Sequence, residues 1–285
     1  MICYEARLLL GFFSSVYVGT LGIFATYIYH YGVDPFTMVF WRVLLSLILL
    51  GTYIVLFLHE IPFTRNKLCF YFFYGFVGVF IFYTLYFYTV KISSVSFVVL
   101  LVYTAPAFSV LLGRIILGEP VTKEKGIALL VVLVGVVLVV GNVELKFTKL
   151  AILTGICTGF VYALYGVLGK FGVRNEKPEK VLFMTLLFGL LFLAPFSKFS
   201  VPREALPYLI GLSFFPTFLG YTLYFHALKK VEVSRASIIA IIEPVVALIL
   251  AYLLFGEELS FIQLVGGGCI ICGSILVHLK NSGGD

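Results

Sequence analysis

Residues 82–119 read FYTLYFYTVKISSVSFVVLLVYTAPAFSVLLGRIILGE, and residues 220–257 read GYTLYFHALKKVEVSRASIIAIIEPVVALILAYLLFGE. At an offset of 138 positions the two stretches align without a gap. Tyr83-Thr84-Leu85-Tyr86-Phe87 falls on Tyr221-Thr222-Leu223-Tyr224-Phe225, Lys91 on Lys229, Ser96 on Ser234, Pro106 on Pro244, and Gly118-Glu119 on Gly256-Glu257. Self-similarity at one fixed spacing marks a duplicated unit. The duplication divides the chain into a first repeat over 1–143 and a second over 144–285.

Composition says where both copies lie. The 285 residues are 61% hydrophobic and only 12% charged, with a mean hydropathy of +1.11, whereas a soluble domain carries roughly 25% charged residues. Apolar runs of about 20 residues, each able to cross a hydrocarbon core of roughly 30 Å, recur from end to end. The first run is too long, and too continuous with the second, for a cleaved signal peptide. The net charge of +6 reads as loop charge that orients a membrane protein, not as a nucleic-acid surface. Cys269-Ile-Ile-Cys272 has the spacing of a metal or redox pair but sits among apolar residues, where free cysteine behaves as a small hydrophobe.

Ten apolar segments emerge, at Leu8–Tyr29, Phe36–Leu58, Leu68–Val90, Val95–Leu117, Gly126–Val140, Leu150–Leu168, Val181–Phe196, Leu206–Leu228, Ala236–Phe255 and Ile262–Leu279. They are apolar on every face, which rules out the alternating strands of a barrel and leaves helices. The expected fold is an all-α integral membrane protein with ten transmembrane helices. Breakers separate the segments, among them Asp34-Pro35, Gly118-Glu119-Pro120, Gly141-Asn142 and Lys177-Pro178.

Counting Lys and Arg at segment ends gives about 14 on the side of the N-terminus and about six opposite, Arg42 and Lys91 among the six. Both termini are therefore expected in the cytoplasm. Each repeat holds five segments, an odd number, so the second enters from the other face, and Glu119 and Glu257 fall on opposite sides. Inverted five-helix repeats of this kind recur in secondary transporters, whose sites lie near the midplane.

Few residues within the segments can carry chemistry. Glu243 lies roughly 12 Å into the ninth, where a carboxylate costs on the order of 2.5–3.5 kcal/mol to insert. It serves a pathway or is a structural carboxyl. Pro106 and Pro244 each remove an amide donor and free the carbonyls of Val102 and Ala240. Matched kinks at one depth suit a hinge or a cavity wall, or an inherited bend. Among 18 tyrosines, Tyr17, Tyr83, Tyr86, Tyr103, Tyr162, Tyr221 and Tyr224 lie away from the interfaces, where a buried hydroxyl needs a partner. Such rings around a cavity would suit a partly apolar organic solute. Gly155-xxx-Gly159, Gly19-xx-Gly22, Gly75-xx-Gly78 and Gly266-Gly267-Gly268 read as sites of close helix packing. The sequence holds no GxxxxGK[ST] phosphate loop and no HExxH, and the four histidines sit at segment ends. Neither an enzyme nor a cofactor is expected.

The endings Pro106–Glu119 and Pro244–Glu257, the run Gly220-Tyr-x-Leu-Tyr-x-x-Ala-Leu-Lys229, Ala163-Leu164-Tyr165 through Lys170, and Gly19 followed by Pro35 and Arg42 together resemble the EamA branch of the drug/metabolite transporter superfamily. The resemblance covers nearly the whole chain. It implies a ten-helix carrier with a central cavity between the halves, in a family many of whose members export amino acids or related metabolites. It carries substrate contacts over to Tyr17, Thr20, Tyr83, Tyr86, Tyr103, Tyr162, Tyr221 and Glu243. Val18 departs from the pattern, standing where an aromatic residue often precedes the glycine of the first span.

The resulting expectation is an exporter of a small organic solute working by alternating access in the plasma (inner) membrane. Uptake or exchange remains the alternative, and a channel would need a polar pore lining that is not visible. A proton is a candidate coupling ion, and monomer and homodimer both stay open.

Overall fold

The computed structural model of the chain describes residues 2–63, 65, 67–93, 95–140, 148–255 and 260–279, and among these it contains helices and turns but no strand. The expected Gly141-Asn142 break, Gly256-Glu257 and Lys280 lie outside the described residues. Among the described residues, eight helical spans are long and apolar enough to cross a membrane: Leu9–His30, Pro35–Phe57, Leu68–Ile92, Phe97–Leu117, Lys149–Val173, Pro178–Phe196, Arg203–Lys230 and Val233–Leu254. Phe261–Leu276 is apolar but shorter. Lys123–Val140 is helical too, and opens on Lys123, Glu124 and Lys125. Large apolar side chains such as Phe57, Ile115 and Leu130 stand well exposed, a surface that suits lipid and not water. The chain is a multi-pass membrane protein.

Local chemistry explains where the helices begin and end. Asp34 caps the Pro35–Phe57 helix, its carboxylate accepting from Thr37 N–H at 3.0 Å and Thr37 Oγ at 2.8 Å. Pro35 fills the first turn, where no amide donor is needed. At the end of the Phe97–Leu117 span Gly118 takes φ 73°, the left-handed conformation that glycine adopts without steric cost. The helix stops there and the chain turns sharply into Glu119. The helix that begins at Lys149 runs past Leu168, where the apolar segment ends, as far as Val173. Lys170 in that last turn donates Nζ to Leu228 O at 2.6 Å, which gives its charge a partner and lets the helix continue.

The chain forms two compact units. The first comprises Met1–Tyr83 and Leu168–Lys229, the second Thr84–Val167 and Lys230–Asp285. Each unit thus draws on both halves of the sequence. In the first, Pro178–Leu193 packs on Pro35–Phe57 and Leu68–Gly75, and Ile2–Gly19 packs on Ser213–Gly220. Two glycines set one spacing: a Cβ on Gly75 would lie 2.6 Å from Phe188 Cβ, and one on Gly189 would lie 2.6 Å from Val79 Cβ. In the second unit Lys123–Val140 lies along Phe261–Leu279. There Gly135 and Gly266 meet so closely that a Cβ on either would stand 2.7 Å from the other's carbonyl oxygen. Ala128, Val132, Val136, Ile238, Ile241, Val245 and Ile270 fill the core beside them.

Of the glycines read as packing sites, Gly75, Gly155, Gly159 and Gly266 have close neighbours, while Gly22 and Gly268 face nothing within 4 Å.

The described helices are interrupted at matched places in the two copies. Phe76–Ile81 and Ser213–Gly220 are π-helical, and the offset lays one on the other. In the second, Pro216 offers no amide to Leu212 O, and Thr217 Oγ bonds that oxygen at 2.9 Å instead, a replacement that lets the wide turn stand. The second pair of interruptions is sharper. One helix ends at Val102 and resumes at Ala105; the other ends at Ala240 and resumes at Glu243.

Candidate functional site

The two breaks are the same turn made twice. Thr104 N–H bonds Leu101 O at 3.0 Å and Ala107 N–H bonds Thr104 O at 3.0 Å; Ile242 N–H bonds Ile239 O at 3.1 Å and Val245 N–H bonds Ile242 O at 3.0 Å. Pro106 and Pro244 sit at the second residue of each resuming helix, where a proline is tolerated. Because neither has an amide proton, neither can bond back to Val102 O or Ala240 O.

Beside these breaks lies a cleft in the second unit with room for about one water molecule, lined by Val102, Tyr103, Ala105, Pro106, Tyr162, Ser237, Ala240, Ile241 and Glu243. It brings together Tyr103, Tyr162, Glu243 and Pro106 of the expected site. Pro244 is buried next to Glu243, and Tyr86 belongs to the same unit without lining the space. The half-buried Glu243 is the first residue of its helical segment, where the positive end of the peptide dipoles favours a carboxylate. The lining residues include a glutamate, two tyrosines and a serine, but the surface they turn to the cleft is largely apolar. The Glu243 carboxyl is the group there that can take up a proton. No group of three or more potential metal ligands occurs among the described residues.

The first unit holds Tyr17, Thr20, Tyr83 and Tyr221. Tyr17 stacks on Phe215 at 6.3 Å. Thr20 is the joint between Ile2–Gly19 and Leu21–His30, and its hydroxyl bonds Tyr17 O at 2.7 Å. Tyr83 and Tyr221, equivalent positions in the two copies, meet on one residue that the loop-charge count had set aside. Arg42 is 2% exposed and lies within the Pro35–Phe57 helix, not in a loop. Its Cζ stands 5.2 Å from the centre of the Tyr83 ring and 5.7 Å from that of Tyr221, and Nη2 donates to Tyr221 Oη at 3.2 Å. Desolvated cation–π contacts contribute about 2 kcal/mol, comparable with the 2.5–3.5 kcal/mol that a buried arginine costs by insertion scales. The signal was in the sequence: an arginine seven residues past the proline that starts an apolar helix is already some 10 Å along its axis.

Beside Tyr221, the Thr222 hydroxyl is buried with no hydrogen-bond partner among the described residues; Thr84, its counterpart in the first copy, is in the same state. Buried hydroxyls without partners are uncommon and call for an explanation.

Other charges are structural. Glu119, 8% exposed, accepts from Val233 N–H at 2.7 Å, Ser234 N–H at 3.3 Å and Ser234 Oγ at 2.8 Å. It therefore caps the Val233–Ala240 helix. Lys125 is buried too, bonding Pro120 O at 2.6 Å and pairing with Glu232 at 2.9 Å. Burial pushes the Glu232 carboxyl up, but Lys125 and Arg235 outweigh it and hold the group below its ordinary value. Glu60 pairs with Lys177 and, at 2.9 Å, with Lys180. Hydrogen bonds from the two lysines lower its pKa.

The profile of the EamA-like transporter family matches residues 6–141 and again 149–279. An uncharacterized transporter of Archaeoglobus fulgidus is 32% identical over 188 residues, 66% of this chain and 68% of that protein. The uncharacterized transporter YyaM of Bacillus subtilis is 28% identical over 212 residues, 70% of this chain and 69% of its own. A solved crystal structure superposes with a TM-score of 0.83 over 96% of each chain at 17% identity, a likeness of fold. With two successive matches that span most of its length, this membrane chain belongs to the EamA-like transporter family.

Proposed function

We propose that the protein is a ten-span carrier of two inverted five-helix repeats, 1–143 and 144–285, which moves a small organic metabolite by alternating access. The observation that carries this reading is the paired helix break at Tyr103-Thr104 and Ile241-Ile242, with a carboxylate at the head of one resuming helix. Broken helices with a helix start beside a small cleft suit solute and ion binding within a bilayer. Two copies of the same break, with a proline just after each, suit a pair of hinges at Pro106 and Pro244. Tyr103, Tyr162 and Glu243 contact the solute or its coupling ion, for which a proton is the candidate. Tyr17, Thr20, Tyr83, Tyr86 and Tyr221 belong to the remaining solute path.

The proposed solute is an amino acid or a related compound, moved outward across the plasma membrane, with both termini in the cytoplasm. Uptake or exchange by the same cycle is the second reading. The family match supports transport itself; the excess of basic residues on the N-terminal side supports the orientation.

Counterflow in proteoliposomes tests the reading. Liposomes preloaded with one unlabelled amino acid at a time should transiently accumulate the labelled form, with saturation. Flux that rises linearly with concentration would indicate a channel and overturn it.

A further inference from the structure

We propose that Glu119 is the catch of a gate. In this conformation it holds the first half of one broken helix, Val233–Ala240, shut against the second half of the other, Ala105–Leu112, and it releases in each transport cycle. The inference deepens the carrier reading and rests on it. It stands on a difference between the two copies. At an offset of 138 positions Val95–Val102 corresponds to Val233–Ala240, Ala105–Leu112 to the start of Glu243–Phe255, and Lys123–Val140 to Phe261–Leu279.

Some packing is the same in both copies. Val95–Val102 lies on Lys123–Val140 just as Val233–Ala240 lies on Phe261–Leu279. The packing of one copy on the other is unequal. Val233–Ala240 also packs on Ala105–Leu112 and on Lys123–Val140. Among the described residues no packing of that extent joins Val95–Val102 to Glu243–Phe255 or to Phe261–Leu279. Burial follows the same division. Ser237, Ile238 and Ile239 are buried, while Val99, Leu100 and Leu101 at the equivalent positions are half-buried. The second unit is closed at the end that carries Glu119 and looser at the other. A chain built from two like copies can exchange the two arrangements, and the matched turns at Tyr103-Thr104 and Ile241-Ile242 are where the halves pivot.

Polar groups fasten the closed end. Glu119 follows the sharp turn at Gly118 and accepts from Val233 N–H, Ser234 N–H and Ser234 Oγ. Lys125 pairs with Glu232 beside it, a second tie across the same seam. Below them the seam is apolar and close: a Cβ on Gly113 would stand 3.2 Å from Val233 Cγ1. Within lipid no hydrophobic effect holds apolar helix faces together, so the polar ties decide how long this end stays shut.

Two experiments on the full chain in liposomes test this, with the five native cysteines replaced by alanine. Ser237, buried and one helical turn beyond Val233, lines the cleft, and Ser237→Cys reports opening. A membrane-impermeant maleimide added on the face that carries Glu119 should modify it slowly. Adding Glu119→Ala should speed the reaction about fivefold or more. Glu119→Gln, which keeps an acceptor, should fall between. Separately, Gly113→Cys with Val233→Cys places two thiols within disulfide reach. Oxidation should lock the end shut and stop counterflow, and reduction should restore it. If Glu119→Ala does not fold, Glu119→Gln and the disulfide carry the test.

Equal labelling rates in the Glu119 variants and their parent would overturn the catch and leave the carrier intact, as would counterflow that persists with the disulfide formed. Failure of the disulfide to form would overturn the close seam on which the catch acts. Absence of counterflow for every solute in the reduced protein would instead remove the carrier reading, and the labelling rates do not depend on it.

Discussion

The Glu119 carboxylate receives the amide of Val233 at 2.7 Å, joining the end of one membrane-crossing helix to the start of another that is more than a hundred residues away in sequence. With Ser234 N–H and Oγ completing the set, one side chain satisfies donors that a helix start otherwise leaves open. Glu119→Ala should cost about 1–3 kcal/mol, the penalty for stranding buried donors. Glu119→Gln, which keeps an acceptor, should cost about half as much on the same scale. Thermal unfolding in detergent checks both; an unchanged Tm for Glu119→Ala would show that the cap is dispensable.

The contact between Gly135 and Gly266 makes a contrasting pair of predictions. Gly135→Ala would bring a methyl to 2.7 Å from Gly266 O and 2.8 Å from Ile270 Cγ1, so it should destabilise by about 1–3 kcal/mol through overpacking. Gly268, in the same helix as Gly266, faces open space. Gly268→Ala should be neutral or stabilise by up to about 1 kcal/mol. Equal effects at the two sites would show that the helices are farther apart than described.

Glu60 provides a pH test outside the membrane. Its folded pKa is lowered below 4.5 by Lys177 and Lys180. The stabilisation is therefore fully present above the ordinary carboxylate range and disappears as pH falls through the depressed folded value. The Tm difference between wild type and Glu60→Gln should be positive and constant from neutral pH to about pH 6, then close in acid. A difference that widens on acidification would have the wrong sign for this ion pair.

Pro106→Ala and Pro244→Ala each return an amide proton to the chain, within reach of Val102 O and Ala240 O as a continuous helix would form. Stability should hold or rise, by about 0.5–1.5 kcal/mol per hydrogen bond gained, while turnover falls because a straightened rod bends less readily. Wild-type turnover in both variants would remove the hinge assignment.

Glu243→Gln, recovered folded and inserted, should lower turnover and flatten its dependence on pH, since the amide cannot exchange a proton at the head of the Glu243–Phe255 helix. Transport rates identical to wild type at every pH would take Glu243 out of the site.

How far the sequence could be read depended on the range of the interaction. Pairing Tyr83 with Tyr221 and Pro106 with Pro244 anticipated two identical turns, because a turn is made by residues that are neighbours in the chain. Asp34-Pro35 likewise marked a helix start. Arg42 was lost because a count of basic residues at segment ends does not ask how far inside the end each one stands. The partition into Met1–Tyr83 with Leu168–Lys229 and Thr84–Val167 with Lys230–Asp285 could not be read either. It depends on which apolar faces choose one another, and faces that are apolar all round leave no stripe to follow. Phe76–Ile81 has no proline to announce its wide turn, unlike Ser213–Gly220.

Those two wide turns each contain one residue more than an ordinary helical turn requires, and each lies just before a tyrosine that packs on Arg42. If the surplus residue passes one step toward the C-terminus, the side chain it overtakes swings by about 100° about the helix axis, while the backbone ends with as many hydrogen bonds as it began with. Such a shift at either turn would change how the following tyrosine faces Arg42, without lengthening a helix or melting it.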